Sequence, residues 1–355
     1  MVHYQLHVVH SSIIFTSNDY AIVSLEDVHL PERLSPNQVH VQMLLAPINP
    51  ADINQIEGSY AFIPPIPFVA GNEGLGQVLS VGSSVKNFKA GDWVLPAPAG
   101  MGTWCQQLVC QSDQLISIPK DIPPEAAATI LVNPCTAYRM LEDFVDLRPG
   151  DCVMQNGANS SVGRALIQIA AMKGIRTVNI VRDRPNHEEL EKDLLSIGAS
   201  MVIKADRLIL PETQAHIKST LGCQPVLALN CVGGQAATDL ARSLAPGGAL
   251  VNYGGMSKRP VTIPTGLLIF NDIRIHGFWI SAWYKRQVDE LKTGQSGPLT
   301  SKRESMMQTL FTMIRSGKLR PAPSRAHPLK TWRTALEKAM EPYTGTKEMF
   351  KLTEY

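Results

Sequence analysis

The chain lacks any apolar run approaching the roughly 18 residues that a membrane-spanning helix requires, so no span is expected. It also lacks a dense basic segment. Its longest runs of Lys and Arg are pairs such as Lys285-Arg286 and Lys302-Arg303, and the net charge is only +2. That excludes the electrostatic footprint of a nucleic-acid binder. Cysteine is sparse: Cys105, Cys110, Cys135, Cys152, Cys223 and Cys231 are scattered without a disulfide-like framework, which suits a reducing compartment. Residues 1–6 show neither the apolar core of a signal peptide nor the Arg-rich pattern of a mitochondrial presequence, and a presequence removed by processing would leave no trace. Internal repeats and low-complexity tracts are missing too. What remains is 355 residues, 44% hydrophobic and 18% charged, an ordinary globular composition with length for two full cores.

The most informative stretch is Asp151–Gly163. A short apolar strand runs into a turn of small residues, Gly157-Ala-Asn-Ser-Ser-Val-Gly163. The turn opens into a helix with apolar positions Val162, Leu166, Ile169 and Ala170. A dinucleotide-binding βαβ unit has this layout, with the pyrophosphate resting on the helix N-terminus. A plain strand–turn–helix packing element would share much of it, and the glycines are few, with Ser161 where a middle glycine is expected. The next strand, Arg176–Val181, ends at Arg182-Asp183-Arg184, 19 to 21 residues beyond Gly163. A site for NAD would place a carboxylate there for the ribose 2′-hydroxyl. Two guanidinium forks instead suit a 2′-phosphate, and so NADPH. The bland alternative is a solvated charge cluster opening a helix.

Residues up to about 120 read as β-rich, with strands such as Val39–Leu45 and Gly76–Val81 punctuated by turn residues. Residues 123–146 look helical. From 150 onward strands alternate with helices. The expected strands are 152–156, 176–181, 200–204, 226–230, 249–253 and 273–278. The expected helices are 161–173, 187–197, 211–221 and 235–244. Six strands with interleaved helices predict an α/β fold, a Rossmann doubly wound parallel sheet. A polar stretch over 293–298, a helix over 303–316 and a helix-plus-strand over 332–352 follow.

This arrangement resembles the medium-chain dehydrogenase/reductase superfamily. The resemblance implies a GroES-like β-rich catalytic domain, residues 1–125 and 286–355, completed by the C-terminus, and a Rossmann NADPH-binding domain, residues 126–285. It also implies a cleft between them for nicotinamide and substrate. Zinc members of that superfamily carry Gly-His-Glu where this chain has Gly71-Asn72-Glu73, and no histidine occurs between His40 and His187. Cys135 matches one ligand position, but one thiolate does not hold zinc, which takes three or four protein ligands. Cys135 reads as a small buried residue, the expected metal content is none, and catalysis is expected to work without a metal.

Within the zinc-free branch, several segments together resemble the trans-2-enoyl-thioester reductases of mitochondrial fatty acid synthesis. They include Ala46-Pro-Ile-Asn-Pro-Ala-Asp-Ile-Asn54, Gly71-Asn-Glu-Gly74, Val132-Asn-Pro-Cys-Thr-Ala-Tyr138, Tyr253-Gly-Gly-Met256 and Gly277-Phe-Trp279. The resemblance implies NADPH-dependent reduction of an acyl-CoA or acyl-carrier-protein enoyl thioester and pairing as a homodimer through the sixth strand. Nucleic-acid and membrane partners are not implied. Tyr60 falls where the family places a hydroxyl facing the thioester oxygen, and Trp279 matches a tryptophan that walls the acyl channel. For cofactor binding the resemblance points to Asn133 near the nicotinamide amide and Asn159, Ser160, Ser161 and Val162 at the pyrophosphate. It points to Arg182, Asp183 and Arg184 at the 2′-phosphate, and to Tyr253, Gly254, Gly255 and Met256 after the fifth strand. Phe278, Trp279, Ile280 and Ser281 are implied along the nicotinamide half, with Lys347 reaching back from the C-terminus. In a eukaryotic source the implied location is the mitochondrial matrix, and otherwise the cytoplasm. Two rivals share the fold: an NADPH:quinone reductase, and an NADPH-binding regulatory protein without catalysis.

Overall fold

Every residue of Cys152–Asn156 is buried, as a parallel strand covered on both faces requires. Around it the computed structural model, which describes residues 3–8, 23–97, 99–292, 298–343 and 345–353, builds two compact units. The first unit is Met1–Val132 with Tyr284–Asp289 and Pro323–Tyr355; the second is Asn133–Trp283 with Glu290–Ala322.

The first unit begins with β1 (His3–Val8), β2 (Val23–Val28), β3 (Gln38–Pro47), helix α1 (Pro50–Ile56), β4 (Phe68–Val69) and β5 (Leu75–Val81). It continues with β6 (Trp93–Pro96), β7 (Gln107–Gln111), β8 (Leu115–Ile118) and helix α2 (Pro124–Thr129). Along β3 buried and half-buried residues alternate, the signature of a strand with one face on a core. The C-terminus supplies β15 (Ser324–Pro328), helix α11 (Trp332–Met340) and β16 (Lys347–Lys351), and the main sheet runs β15-β16-β3-β5-β6-β8, with β7 also paired to β3. Phe350 of β16 is wholly buried and meets the Trp104 ring edge-on at 5.0 Å, so the C-terminus completes this core.

The second unit alternates helix and strand. In order come α3 (Asn133–Glu142), β9 (Cys152–Asn156), α4 (Ser161–Met172), β10 (Arg176–Val181), α5 (His187–Ser196), β11 (Met201–Lys204) and α6 (Pro211–Leu221). Then follow β12 (Leu227–Asn230), α7 (Gly234–Arg242), β13 (Ala249–Asn252), α8 (Thr265–Asn271), β14 (Arg274–Gly277), α9 (Ile280–Lys292) and α10 (Pro298–Arg315). The strands form one parallel sheet in the order β11-β10-β9-β12-β13-β14, which is the 3-2-1-4-5-6 order of a dinucleotide-binding fold. One face packs Met154, Val178, Ile203 and Leu250 against Ile217 and Leu240; the other packs Val181 and Val202 against Ile167 and Leu194.

The fold class is the one the sequence pattern predicts, and the six strands of the parallel sheet lie within one residue of their expected bounds. Two helices differ. Helix α8, Thr-Gly-Leu-Leu-Ile-Phe-Asn, buries no residue and has no polar face for periodicity to detect. Helix α10 starts at Pro298 rather than at 303. Helix α10 belongs to the second unit and lies on α3, with Met307 Sδ 3.8 Å from Cys135 Sγ. Residues 293–297 of the expected polar stretch lie outside the described residues.

Candidate active site

In the second unit the turn after β9 is shaped by two glycines. Gly157 has φ +59°, and a side chain there would collide with Cys231 Sγ. A Cβ at Gly163 would sit 2.5 Å from the Ala158 carbonyl oxygen, so the first turn of α4 packs directly on the loop. Ser160 is the N-cap. Its Oγ accepts from Gly163 N–H at 3.1 Å, while Ser161 and Val162 begin the helix. Their N–H groups have no intrahelical acceptor, as at any helix start, and are available to an anion. Asn159, Ser160, Ser161 and Val162 are therefore brought together at one helix N-terminus.

Neighbouring strands end in asparagine, and these side chains form a ladder along the carboxyl edge of the sheet. Asn156 Nδ2 donates to Asn230 Oδ1 at 2.7 Å, and Asn230 Nδ2 donates to Asn252 Oδ1 at 2.7 Å. Asn156 Oδ1 accepts from Cys231 N–H and Asn230 Oδ1 from Gly233 N–H, so the same ladder fixes the loop after β12. That loop holds the next: Met256 N–H donates to the Cys231 carbonyl at 2.9 Å. The Tyr253 hydroxyl is buried beside Cys231 and Ser160, and burial pushes its pKa well above the usual phenol value. A Cβ on Gly254 would sit 3.1–3.3 Å from Cys231, a tight fit, whereas Gly255 faces open space and Met256 is exposed.

At the end of β10, Arg182 and Asp183 are exposed and Arg184 is buried. Asp183 is already engaged, with Lys204 Nζ from the end of β11 2.7 Å from its Oδ1. The hydrogen bond and charge of Lys204 hold its carboxyl below the usual range. Asn133 opens α3; it is buried, and among the described residues its Nδ2 meets no acceptor. Phe278 is buried with its ring edge-on to Phe144 at 5.9 Å, while Trp279, beside it, is 40% exposed. Ile280 is buried and Ser281 half-buried at the start of α9.

Tyr60 and Lys347 belong to the first unit. Tyr60 is half-buried in the irregular segment after α1. Lys347 opens β16, and its ammonium donates to Asn49 Oδ1. Asn49 Nδ2 donates to Glu73 Oε1 at 2.7 Å, and Glu73 Oε2 accepts from Val132 N–H at 3.0 Å. Asp52 accepts from Asn49 N–H at 2.7 Å and from Asn72 Nδ2 at 2.6 Å. Burial pushes Asp52 up to about 6 and Glu73 up to about 7, against the pull of these donors and of Lys347. Burial in turn lowers Lys347 to about 8.

The two carboxyls have a consequence for stability. Their folded values lie above the ordinary 3.8 and 4.5, so the folded protein keeps protons that the unfolded chain has released. Their contribution is full below about pH 4 and is lost as the pH rises through 6 to 7. Urea unfolding between pH 5 and pH 8 should show this fall, and Glu73→Gln should flatten it. An unchanged slope in the variant contradicts the assignment.

Against known proteins, residues 35–120 match the alcohol dehydrogenase GroES-like domain and residues 161–292 match the zinc-binding dehydrogenase domain. The proteins named enoyl-[acyl-carrier-protein] reductase, mitochondrial, of Mus musculus and Homo sapiens are each 47% identical over 332 residues, which is 93% of this chain and 85% of theirs. This chain belongs to the mitochondrial enoyl-[acyl-carrier-protein] reductase family. The mitochondrial 2-enoyl thioester reductase Etr1p/Etr2p heterodimer of Candida tropicalis superimposes with a TM-score of 0.87 at 32% identity, covering 99% of this chain and 100% of that one. The same figures hold for Etr1p in complex with NADP and crotonyl-CoA. A quinone oxidoreductase of Pseudomonas syringae, TM-score 0.77 and 22% identical, shares the fold alone.

In a family whose wider superfamily includes zinc enzymes, the position of Asn72 is informative. Among the described residues no three His, Cys, Asp or Glu side chains gather as a metal site. Cys135 is wholly buried against Met307, and Asn72 is spent on the hydrogen bonds of the first unit. The sequence pattern missed that network, the asparagine ladder and Lys204. Asn49 and Asp52 do carry a local signal, the spacing of a capping box before a helix. The ladder's signal is an asparagine closing each of β9, β12 and β13.

Proposed function

We propose that this protein reduces trans-2-enoyl thioesters to saturated acyl thioesters with NADPH, in fatty acid synthesis. Membership of the enoyl-[acyl-carrier-protein] reductase family across 93% of the chain carries this reading. The second unit suits the cofactor on its own geometry. It offers a capped helix start with available N–H groups, a glycine at 255 opening on free space, and a buried amide donor at Asn133 that lacks an acceptor. Leaving such a donor unsatisfied costs about 1–3 kcal/mol, which a ligand carbonyl would relieve. NADPH, when bound, supplies a hydride to the β-carbon while a proton reaches the α-carbon.

The chain's own groups bind, orient and stabilise. Ser161 and Val162 N–H groups receive the pyrophosphate, with Asn159 and Ser160 shaping the turn. Arg182 and Arg184 receive the 2′-phosphate. Tyr253, Gly254, Gly255 and Met256 form the floor after β13, and Asn133, Phe278, Ile280 and Ser281 hold the nicotinamide half. Trp279 walls the acyl channel. Tyr60 donates its hydroxyl hydrogen to the thioester oxygen, where negative charge collects as the double bond is reduced; one such donor contributes about 2.7–4 kcal/mol. Lys347 completes the set of cofactor residues from the C-terminus; its ammonium faces Asn49.

The deciding experiment is NADPH oxidation against a ladder of trans-2-enoyl thioesters, offered as CoA and as acyl-carrier-protein derivatives, beside a quinone. Turnover of crotonyl-CoA or its carrier-protein counterpart with a saturated product is expected. Turnover of the quinone alone would overturn the reading. The relatives' names are mitochondrial, and for a eukaryotic source we infer the mitochondrial matrix.

We infer a homodimer as well. Strand β14 ends the sheet, with Ile275 on it 42% exposed, and beside it α8 presents Ile269 and Phe270 at 66% and 84% exposure. An exposed strand edge flanked by apolar side chains is covered by a second copy pairing across a two-fold axis. Light scattering at micromolar concentration should give twice the chain mass, and Phe270→Asp should give the single mass. A monomeric wild type contradicts the inference.

A further inference from the structure

Asn72 uses its whole side-chain amide. Nδ2 donates to Asp52 Oδ1 and to Gln55 Oε1, each at 2.6 Å, and Oδ1 accepts from Gly100 N–H at 2.9 Å. Asp52 and Gln55 are three residues apart on α1, both buried, so one amide grips one face of that helix. Gln55 passes the grip onward, its Nε2 donating to the Phe62 carbonyl at 3.0 Å. The other arm ends at the same place: a Cβ on Gly100 would sit 2.9 Å from the Phe62 ring, so the backbone held by Asn72 Oδ1 lies against Phe62.

Tyr60 lies inside the segment so enclosed. The near end is tied to α1 by Gly58 N–H to the Gln55 carbonyl at 3.1 Å and Ser59 N–H to the Asn54 carbonyl at 2.8 Å. The far end, at Phe62, is tied by the two arms of Asn72. We propose that Asn72 is the positioning residue for Tyr60, fixing the loop that carries its hydroxyl through Gln55 and Gly100 without touching the reacting atoms.

The residue type matters. A neutral histidine, as the zinc relatives have here, offers one donor and one acceptor, and aspartate offers no donor. Neither can donate to both Asp52 and Gln55 while accepting from Gly100. An asparagine at this position thus serves the loop where the zinc branch serves a metal.

The inference rests on the reading of Tyr60, and a double-mutant cycle separates the two. kcat and KM for crotonyl-CoA, NADPH affinity and melting temperature are measured for Asn72→Ala, Tyr60→Phe and the double variant. Misplacing a catalytic group by about 1 Å costs up to about 10²-fold. Asn72→Ala should therefore lower kcat by about 10- to 10²-fold with KM and NADPH affinity within about twofold. In the Tyr60→Phe background the same change should cost less than about threefold, since the group it positions is gone. Gln55→Met, which breaks the same relay and preserves length, should repeat the pattern, and it keeps the test decisive if Asn72→Ala folds poorly. Equal losses in both backgrounds, with Tyr60→Phe itself severe, overturn the role of Asn72 alone. Full turnover by Tyr60→Phe overturns both, and the single variant identifies that case.

Discussion

Alanine at both Arg182 and Arg184 lowers kcat/KM for NADPH by about 10²–10⁴ and changes that for NADH only severalfold. A charge-assisted hydrogen bond contributes about 1.5–3 kcal/mol, two of them about 3–6, and about 1.4 kcal/mol is tenfold. Both arginines follow the last residue of β10, the strand beside β9, where the adenosine ribose lies in this fold. Asp183 stands between them but is paired with Lys204 at 2.7 Å, so its carboxylate is a weakened acceptor for ribose hydroxyls. The charge at this edge is thus turned towards phosphate. Arg182 is exposed and Arg184 buried, so Arg182→Ala alone tests the contact without disturbing packing, and the melting temperature of Arg184→Ala reports what its burial adds. Steady-state kinetics with each cofactor and one enoyl thioester check the result. Equal kcat/KM for NADH and NADPH in the wild type would remove the basis for the 2′-phosphate assignment.

Local patterns carried most of the fold. The turn from Gly157 to Gly163 was legible because strand, turn and helix are contiguous, and the spacing to Arg182 follows from the length of one βαβ unit. The features that escaped are those built between distant segments. Asn156, Asn230 and Asn252 become neighbours only once the sheet has its 3-2-1-4-5-6 order, and no window of sequence holds two of them. Lys204 meets Asp183 because parallel pairing sets Val181 opposite Lys204. Lys347 reads from sequence as a residue reaching for cofactor, yet its ammonium meets Asn49, nearly 300 positions earlier, because β16 pairs with the end of β3. Helix α8 escaped for a different reason: an apolar segment with no polar face has no period to read. Its exposed Ile269 and Phe270 closely precede β14, the last strand of the sheet among the described residues.

Tyr60→Phe lowers kcat and kcat/KM together by about 10²–10³ with little change in KM. The substitution removes one oxygen and leaves the ring, so the loop between Ser59 and Phe62 keeps its backbone bonds to Asn54 and Gln55. Folding and NADPH affinity should stay near wild type, and a melting curve with a cofactor titration checks both. The size of the loss follows from where charge develops. Hydride arriving at the β-carbon drives electron density onto the thioester oxygen, and a hydroxyl aimed there stabilises that charge far more than the ground-state carbonyl. An interaction made mainly in the transition state appears in kcat, whereas one made equally with bound substrate would appear in KM alone. A raised KM with normal kcat would therefore make Tyr60 a substrate-binding group. Full activity on crotonyl-CoA would mean that another donor serves the thioester oxygen, and would withdraw the role assigned to this loop.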